Sequence, residues 1–326
     1  MPSAANAKLQ YEGGQSFTAM SSLTDSGDHT LFTSTASLWS KKTGYAPDVR
    51  PNGLISGGAV IPAAAGGNNN VDVAALSCYL AGVKSSVSAS ANVAASRGAT
   101  LASRITSITV TSAGAIAAVA GTEGASFSET RAAAGGPPLI PAGSIEVAQV
   151  RLASLTAAPV QDSEVFAVVG VHQERWDYPL WEENTAEGTI TFNAALPLIH
   201  TGNIAKAVYA SYAEPIFSDV ARSSDFVPPE TTNSVSSTQI YGATLGSNSS
   251  SLGQGSFTAF MQDGVGDALV GLAGENLWFK FFPDRYAANH LLCQGILGIA
   301  RTFPAGGNIT AKCTISAETA ATEVVA

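Results

Sequence analysis

Charge is what this sequence has least of. Only 13% of its 326 residues are Asp, Glu, Lys or Arg, about half the usual share, and the longest basic run is Lys41-Lys42. A protein that grips nucleic acid presents a basic face, because phosphate neutralisation supplies most non-specific affinity. A net charge of −9 argues against that class. Cysteine is equally scarce. Cys78, Cys293 and Cys313 are odd in number and widely spaced, so they read as buried reduced thiols rather than a disulfide framework. No run of about 18 apolar residues suggests a membrane span. The opening "MPSAANAKLQ" lacks the apolar stretch of a signal peptide, so synthesis in a reducing cytoplasm is expected.

Catalytic signatures are missing too. His29, His172, His200 and His290 have no histidine partner at i,i+4, and neither a G-x-S-x-G elbow nor a P-loop occurs. Asp263 and Asp267 in "DGVGD" lack the remaining ligands of a calcium loop and read as a polar turn. No enzyme, metal or cofactor is expected.

What the chain does have is small residues and repetition. Ala, Ser, Thr and Gly replace the missing charge, a surface suited to close subunit packing. PLIPAGSI (Pro138–Ile145) is nearly restated as PLIHTGNI (Pro197–Ile204). At the two ends of the chain, Gly13–Met20 answers Gly253–Phe260, Leu38–Lys41 answers Leu277–Lys280, and Gly53–Pro62 answers Gly295–Pro304. Ordered matches that include a Trp point to duplication. The economical division is two related domains, 1–165 and 166–326.

Strand signals dominate. Ile105–Gly121, Glu164–His172, Gly188–Leu196, Ala205–Ala213 and Asn308–Ala317 carry short alternating or β-branched runs. Val71–Val83 reads as strand or helix, and Arg285–Gln294 as a short helix. The predicted class is all-β, antiparallel sandwich or barrel-like, with one or two short helices. Three segments lack periodicity: Ser40–Asn52, its counterpart Phe279–His290, and the Ser/Thr-rich Ser224–Ser256, a linker or an arm that packs on a neighbour. "HQERWDYPLWEEN" (His172–Asn184) mixes carboxylates with Trp176, Tyr178 and Trp181. It reads as an anchored loop, or alternatively as a sugar platform with paired acids.

The sequence Leu277-Trp278-Phe279-Lys280-Phe281-Phe282-Pro283, then a loop, then Gly295-Ile296-Leu297-Gly298 and Phe303-Pro304-Ala305-Gly306-Gly307 before a last strand, resembles the major tail tube proteins of long-tailed, siphovirus-type bacteriophages. The C-terminal end carries the resemblance best and the N-terminal end next. The resemblance implies a virion protein, assembled in the host bacterial cytoplasm, whose rings stack into a tube for DNA passage without specific binding. Two such domains per chain imply a trimeric ring of pseudo-sixfold symmetry, with a hexamer as the alternative. Tape measure, tail terminator and tail-tip proteins are the implied partners.

Inter-ring loops in that family join strands, which makes Lys41, Lys42, Tyr45, Asp48, Val49 and Arg50 candidates in the first segment, and Phe282, Asp284, Arg285 and Tyr286 in the second. Asp162, Glu164, Glu174, Glu182 and Glu183 are candidate lumen acids that would let phosphate slide, or else outer-surface acids. The alternative functions are another β-rich virion component (head decoration or baseplate) and a carbohydrate-binding or -cleaving β-sandwich.

Overall fold

The structure is a computed structural model that describes residues 4–325. The class is all-β: strand takes 49% of the chain and no helix reaches 7 residues. The expected short helices are absent among the described residues, where the helical elements are three 3-10 turns. Val71–Val83 resolves into the strands Asn70–Val73 and Leu76–Leu80, and the end of Arg285–Gln294 begins the strand His290–Thr302. In both, β-branched and aromatic neighbours make cross-strand pairs that outweigh local helix propensity.

The chain forms two compact units. The first combines Met1–Phe17, Leu38–Ala46 and Tyr212–Ala326; the second comprises Thr18–Ser37 and Pro47–Ser211. The expected halves, 1–165 and 166–326, are therefore not the units of the structure. The end repeats explain the difference. Leu38–Lys41 lies outside any strand whereas Leu277–Lys280 lies within one, and Gly53–Pro62 falls in the second unit whereas Gly295–Pro304 falls in the first.

The main sheet of the first unit is ordered Ala213–Asp219, Lys8–Phe17, Asn276–Phe282, His290–Thr302, Thr310–Ala317, Gly255–Phe260, Ser223–Val227, with Thr322–Val324 added beside His290–Thr302. Its two outermost strands are joined only by Val220–Arg222. At about 3.8 Å per Cα step, the sheet must curl until its edges lie within about 15 Å of each other. Alternation fills the interior: Thr310–Ala317 buries every second residue, as a half-buried strand should. Leu9, Phe257, Leu277, Phe279, Leu297 and Ile315 form the core, with Cys293 and Cys313 among them. Burial pushes both thiols up to about 12.

Trp39 is the first unit's other anchor. It is fully buried, stacks on Tyr212 at 4.9 Å between ring centroids, and its carbonyl accepts a 3.0 Å hydrogen bond from Trp278 Nε1. Beside it, the Ser40 hydroxyl donates to the buried Glu12 carboxylate, which also accepts from the Trp278 amide at 3.3 Å. Desolvation raises the Glu12 pKa above the usual carboxylate value.

The second unit holds several small antiparallel sheets. At its centre Arg104–Val110 lies between Ile116–Ala120 and Ile145–Leu152. Ile105–Gly121, expected as one run, is thus mostly a hairpin turned at Gly114. Val71, Val73, Cys78, Ile108, Ile145, Val147 and Val150 pack as its core.

The octapeptide repeat finds its explanation in this unit. Pro141–Ser144 and His200–Asn203 each close a turn, with Ser144 N donating to Pro141 O at 3.1 Å and Asn203 N to His200 O at 3.1 Å. Gly143 (φ 77°) and Gly202 (φ 89°) occupy the third turn position, where a positive φ favours glycine. The two copies then lie side by side. Ile140 N donates to Ile199 O (2.9 Å), Thr201 N to Ile140 O (2.8 Å), and Ile140 and His200 form a parallel bridge. The restated words are two neighbours in one unit, not one hairpin in each of two domains.

Candidate functional site

Ser224–Ser256 is neither linker nor loop. After the short strand Ser223–Val227, Pro228 and Pro229 end sheet pairing, and the chain then forms a two-stranded hairpin, Thr231–Ile240 with Ala243–Leu252. Ten paired residues at about 3.4 Å each make it about 34 Å long. Tyr241-Gly242 is the turn, with Gly242 at φ 82°, and Tyr241 is fully exposed at the tip. One face carries a hydroxyl ladder: Thr232–Ser251, Ser234–Ser249 and Ser236–Ser247 meet at 3.1, 2.7 and 2.6 Å. Val235 stands exposed on the opposite face and Leu245 on the ladder face. All of Thr231–Ile240 is exposed.

This hairpin has features that folded proteins usually avoid. An isolated two-stranded ribbon is marginal in water, and free edges are normally blunted by charge, proline or bulges. From Thr231 to Leu252 the sequence contains no charged residue and no proline, and the ten-pair register runs without a bulge. Among the described residues no other strand pairs with either edge, which leaves both open for pairing.

The loop candidates divide. In the first segment Lys41 is paired with Glu318 at 3.0 Å, Tyr45 stacks on Phe17 at 5.6 Å, and the Lys42 amide donates to Ser40. Asp48 and Val49 form a short strand beside Tyr209–Ser211, and Arg50 bonds Asp48 and the Gly82 carbonyl. Ser40–Asn52 is therefore a pinned crossing from one unit to the other, not a projecting loop. Deleting it would remove the buried Ser40, Val49 and Asn52.

The second segment is shorter than expected. Phe282 ends a strand, its ring 4.9 Å from His290, and only residues 283–289 form the loop. Asp284 accepts from the Tyr286 amide at 3.1 Å, and Arg285 is tied to the carbonyls of Asn6 and Ala7. Tyr286 is left widely exposed.

The acids divide likewise. Asp162, Glu182 and Glu183 are exposed and Glu164 is half-buried; Glu164 accepts from the Gln161 amide at 2.9 Å. Glu174 is not a surface acid. It is only 7% exposed, and its Oε2 accepts a 2.8 Å hydrogen bond from the Glu146 amide. Trp176 and Trp181 do not form a flat platform either. They pack against each other at 5.9 Å, and against Tyr79 and Phe192 in turn.

Glu174 belongs to a buried polar cluster that sequence reasoning missed. Glu146, 1% exposed, accepts from Arg131, Ser107 and Gln149. Arg151 pairs with Glu129 at 2.6 Å, lies over the Phe166 ring at 4.5 Å and is 3.0 Å from His172 Nε2. Burial lowers the His172 pKa, and the Arg151 charge lowers it further. Lys206, 3% exposed, donates to the carbonyls of Arg175 (2.7 Å) and Tyr178 (2.6 Å). Desolvation raises Glu146 and Glu174 and pushes Lys206 down to about 8.

Because its folded pKa is depressed, Lys206 costs stability as pH falls from its unfolded value toward 8. Relative to Lys206→Met, the protein should therefore gain about 3 kcal/mol between pH 8 and 10.5. Denaturant titrations at a series of pH values measure the difference, and parallel curves would contradict it.

Among the described residues no group of three His, Cys, Asp or Glu side chains could hold a metal ion, and no helix is long and apolar enough to cross a membrane. No protein-family model matches the chain, and no curated protein matches it.

Proposed function

We propose that the chain is a self-assembling structural protein, the tube subunit of a non-contractile phage tail. The observation that carries this reading is the uncharged hairpin Thr231–Leu252, whose open edges and exposed faces suit pairing with a neighbouring copy. The curled sheet of the first unit supports it, since a barrel-like domain is what the sequence resemblance implies. Each chain has one such sheet and a second unit of different strand order. The ring therefore takes one sheet per position and closes as a hexamer, the alternative to the trimer that two like domains would have formed.

In this reading the exposed Asp162, Glu182 and Glu183 and the half-buried Glu164 remain the lumen candidates. DNA slides past carboxylates without being held, and the tape measure, terminator and tail-tip proteins complete the tail. The protein acts in the virion and performs no catalysis.

Tyr286 is an inter-ring candidate exposed widely enough to reach another ring. Tyr286→Asp should change folding stability by no more than about 0.5 kcal/mol, as for other exposed sites, yet leave rings that do not stack. Electron microscopy of the variant tests this, and normal tubes would remove the residue from the contact.

A further inference from the structure

A cavity of about 380 Å³ opens within the second unit beside the buried polar cluster, within the size range of small-molecule sites. Part of its lining is polar, from Arg131, Glu146, Glu174, Arg175 and Lys206, and part is apolar, from Val171, Tyr178, Pro179, Pro197 and Ile199. Val171, Tyr178, Ala194 and Ala195 are exposed there.

The charges of the lining are already matched. Arg131 pairs with Glu146 and Arg175 with Asp177, while Lys206 and Glu174 offset each other's sign without a direct ion pair among the described residues. Neither an anion nor a cation is called for. Two hydrogen-bonding positions are unfilled. Glu174 Oε1 is buried and takes no hydrogen bond from the protein, although such an atom normally has a partner. Lys206 commits two of its three N–H groups to carbonyls. A hydroxyl meets both needs, because it donates and accepts at one atom.

We propose that this cavity binds a neutral, polyhydroxylated small molecule of monosaccharide size. One hydroxyl donates to Glu174 Oε1 and accepts from Lys206 Nζ, and the C–H face of the ring lies against Pro179 and Tyr178. This site is separate from the Trp176–Trp181 rings, and the inference does not rest on the tube reading.

The experiment is saturation-transfer NMR on the full chain with methyl α-glucoside, methyl α-galactoside, methyl α-mannoside and N-acetylglucosamine, alongside charged glucosamine and glucuronate. Transfer to at least one neutral sugar is expected, exceeding transfer to both charged ones. Ala195→Trp, at an exposed position on the rim, should abolish it. Ala194→Trp serves as the second plug should the first variant lose its wild-type melting curve. Glu174→Gln keeps an oxygen for the Glu146 amide but puts NH₂ where the free acceptor stood, and should weaken binding about tenfold or more. Absence of transfer from every neutral sugar would overturn the proposal. So would undiminished transfer in a folded plugged variant, or preference for a charged sugar.

Discussion

Deletion of Thr231–Leu252, with Glu230 joined to Gly253, should give a folded chain that no longer assembles. The junction is short because Gly253 N already donates to Glu230 O at 2.8 Å, so removing the hairpin leaves no gap to bridge. The segment contributes no residue to either hydrophobic core, and the curled sheet keeps all of its strands. Its thermal transition should therefore stay within a few degrees of wild type, a shift equivalent to about 1 kcal/mol. Assembly is another matter, since the open edges go with the hairpin. Charging it should act in the same direction: Val235→Lys on one face and Ser236→Lys on the other place unpaired ammonium groups where a partner would desolvate them. Sedimentation velocity compares the variants, and wild-type assembly of the deletion would show that the arm has no part in it.

Trp39→Ala should be the most damaging single substitution in the first unit, at about 3–5 kcal/mol. The indole is fully buried, fills the space over Tyr212, and holds the segment whose carbonyl and Ser40 hydroxyl serve Trp278 and Glu12. Removing it leaves a cavity and loosens the two groups that compensate a buried carboxylate. Since whole domains are stable by about 5–15 kcal/mol, the loss should be visible as a large fall in the denaturant midpoint. Trp181→Ala in the second unit is the comparison. Its ring is only half-buried, and the cost should be clearly smaller; equal effects would mean that Trp39 does not anchor the unit.

The all-β class was legible because strands such as Thr310–Ala317 and Gly255–Phe260 alternate between core and solvent, which period-two patterning reports directly. The hairpin was not. With all of Thr231–Ile240 exposed, polar residues alternate only with other polar residues, and the pattern disappears into Ser/Thr-rich composition. Glu164–His172 misled in the opposite sense. Its apolar run reads as a strand, yet only Val165 and Phe166 form one, Val169 makes an isolated bridge to Gln173, and Val168, Val169 and Val171 are exposed around the Gly170 turn.

Domain organisation failed for a topological reason. Lys8–Phe17 pairs with Asn276–Phe282, a union of the chain's ends that local periodicity cannot report. The octapeptide repeat was noticed, but likeness between two segments does not say whether they occupy equivalent domains or adjacent places, and here they are adjacent. The buried cluster was hidden because Glu146 sits in a strand buried on both faces, Ile145–Leu152, while Arg131, Glu174 and Lys206 reach the same cavity from distant points in the sequence. Of the proposed lumen acids, Glu174 was misplaced for that reason: nothing in "HQERW" distinguishes a buried carboxylate from its exposed neighbours.

The measurement that bears most directly on the tube reading is negative-stain electron microscopy of the purified wild-type chain and the hairpin deletion, with mass determination of the smallest ring. The account predicts hollow tubes built from rings of six chains for the wild type and none for the deletion. A wild-type chain that remains at monomer mass at every concentration, or tubes that form equally well without Thr231–Leu252, would contradict it.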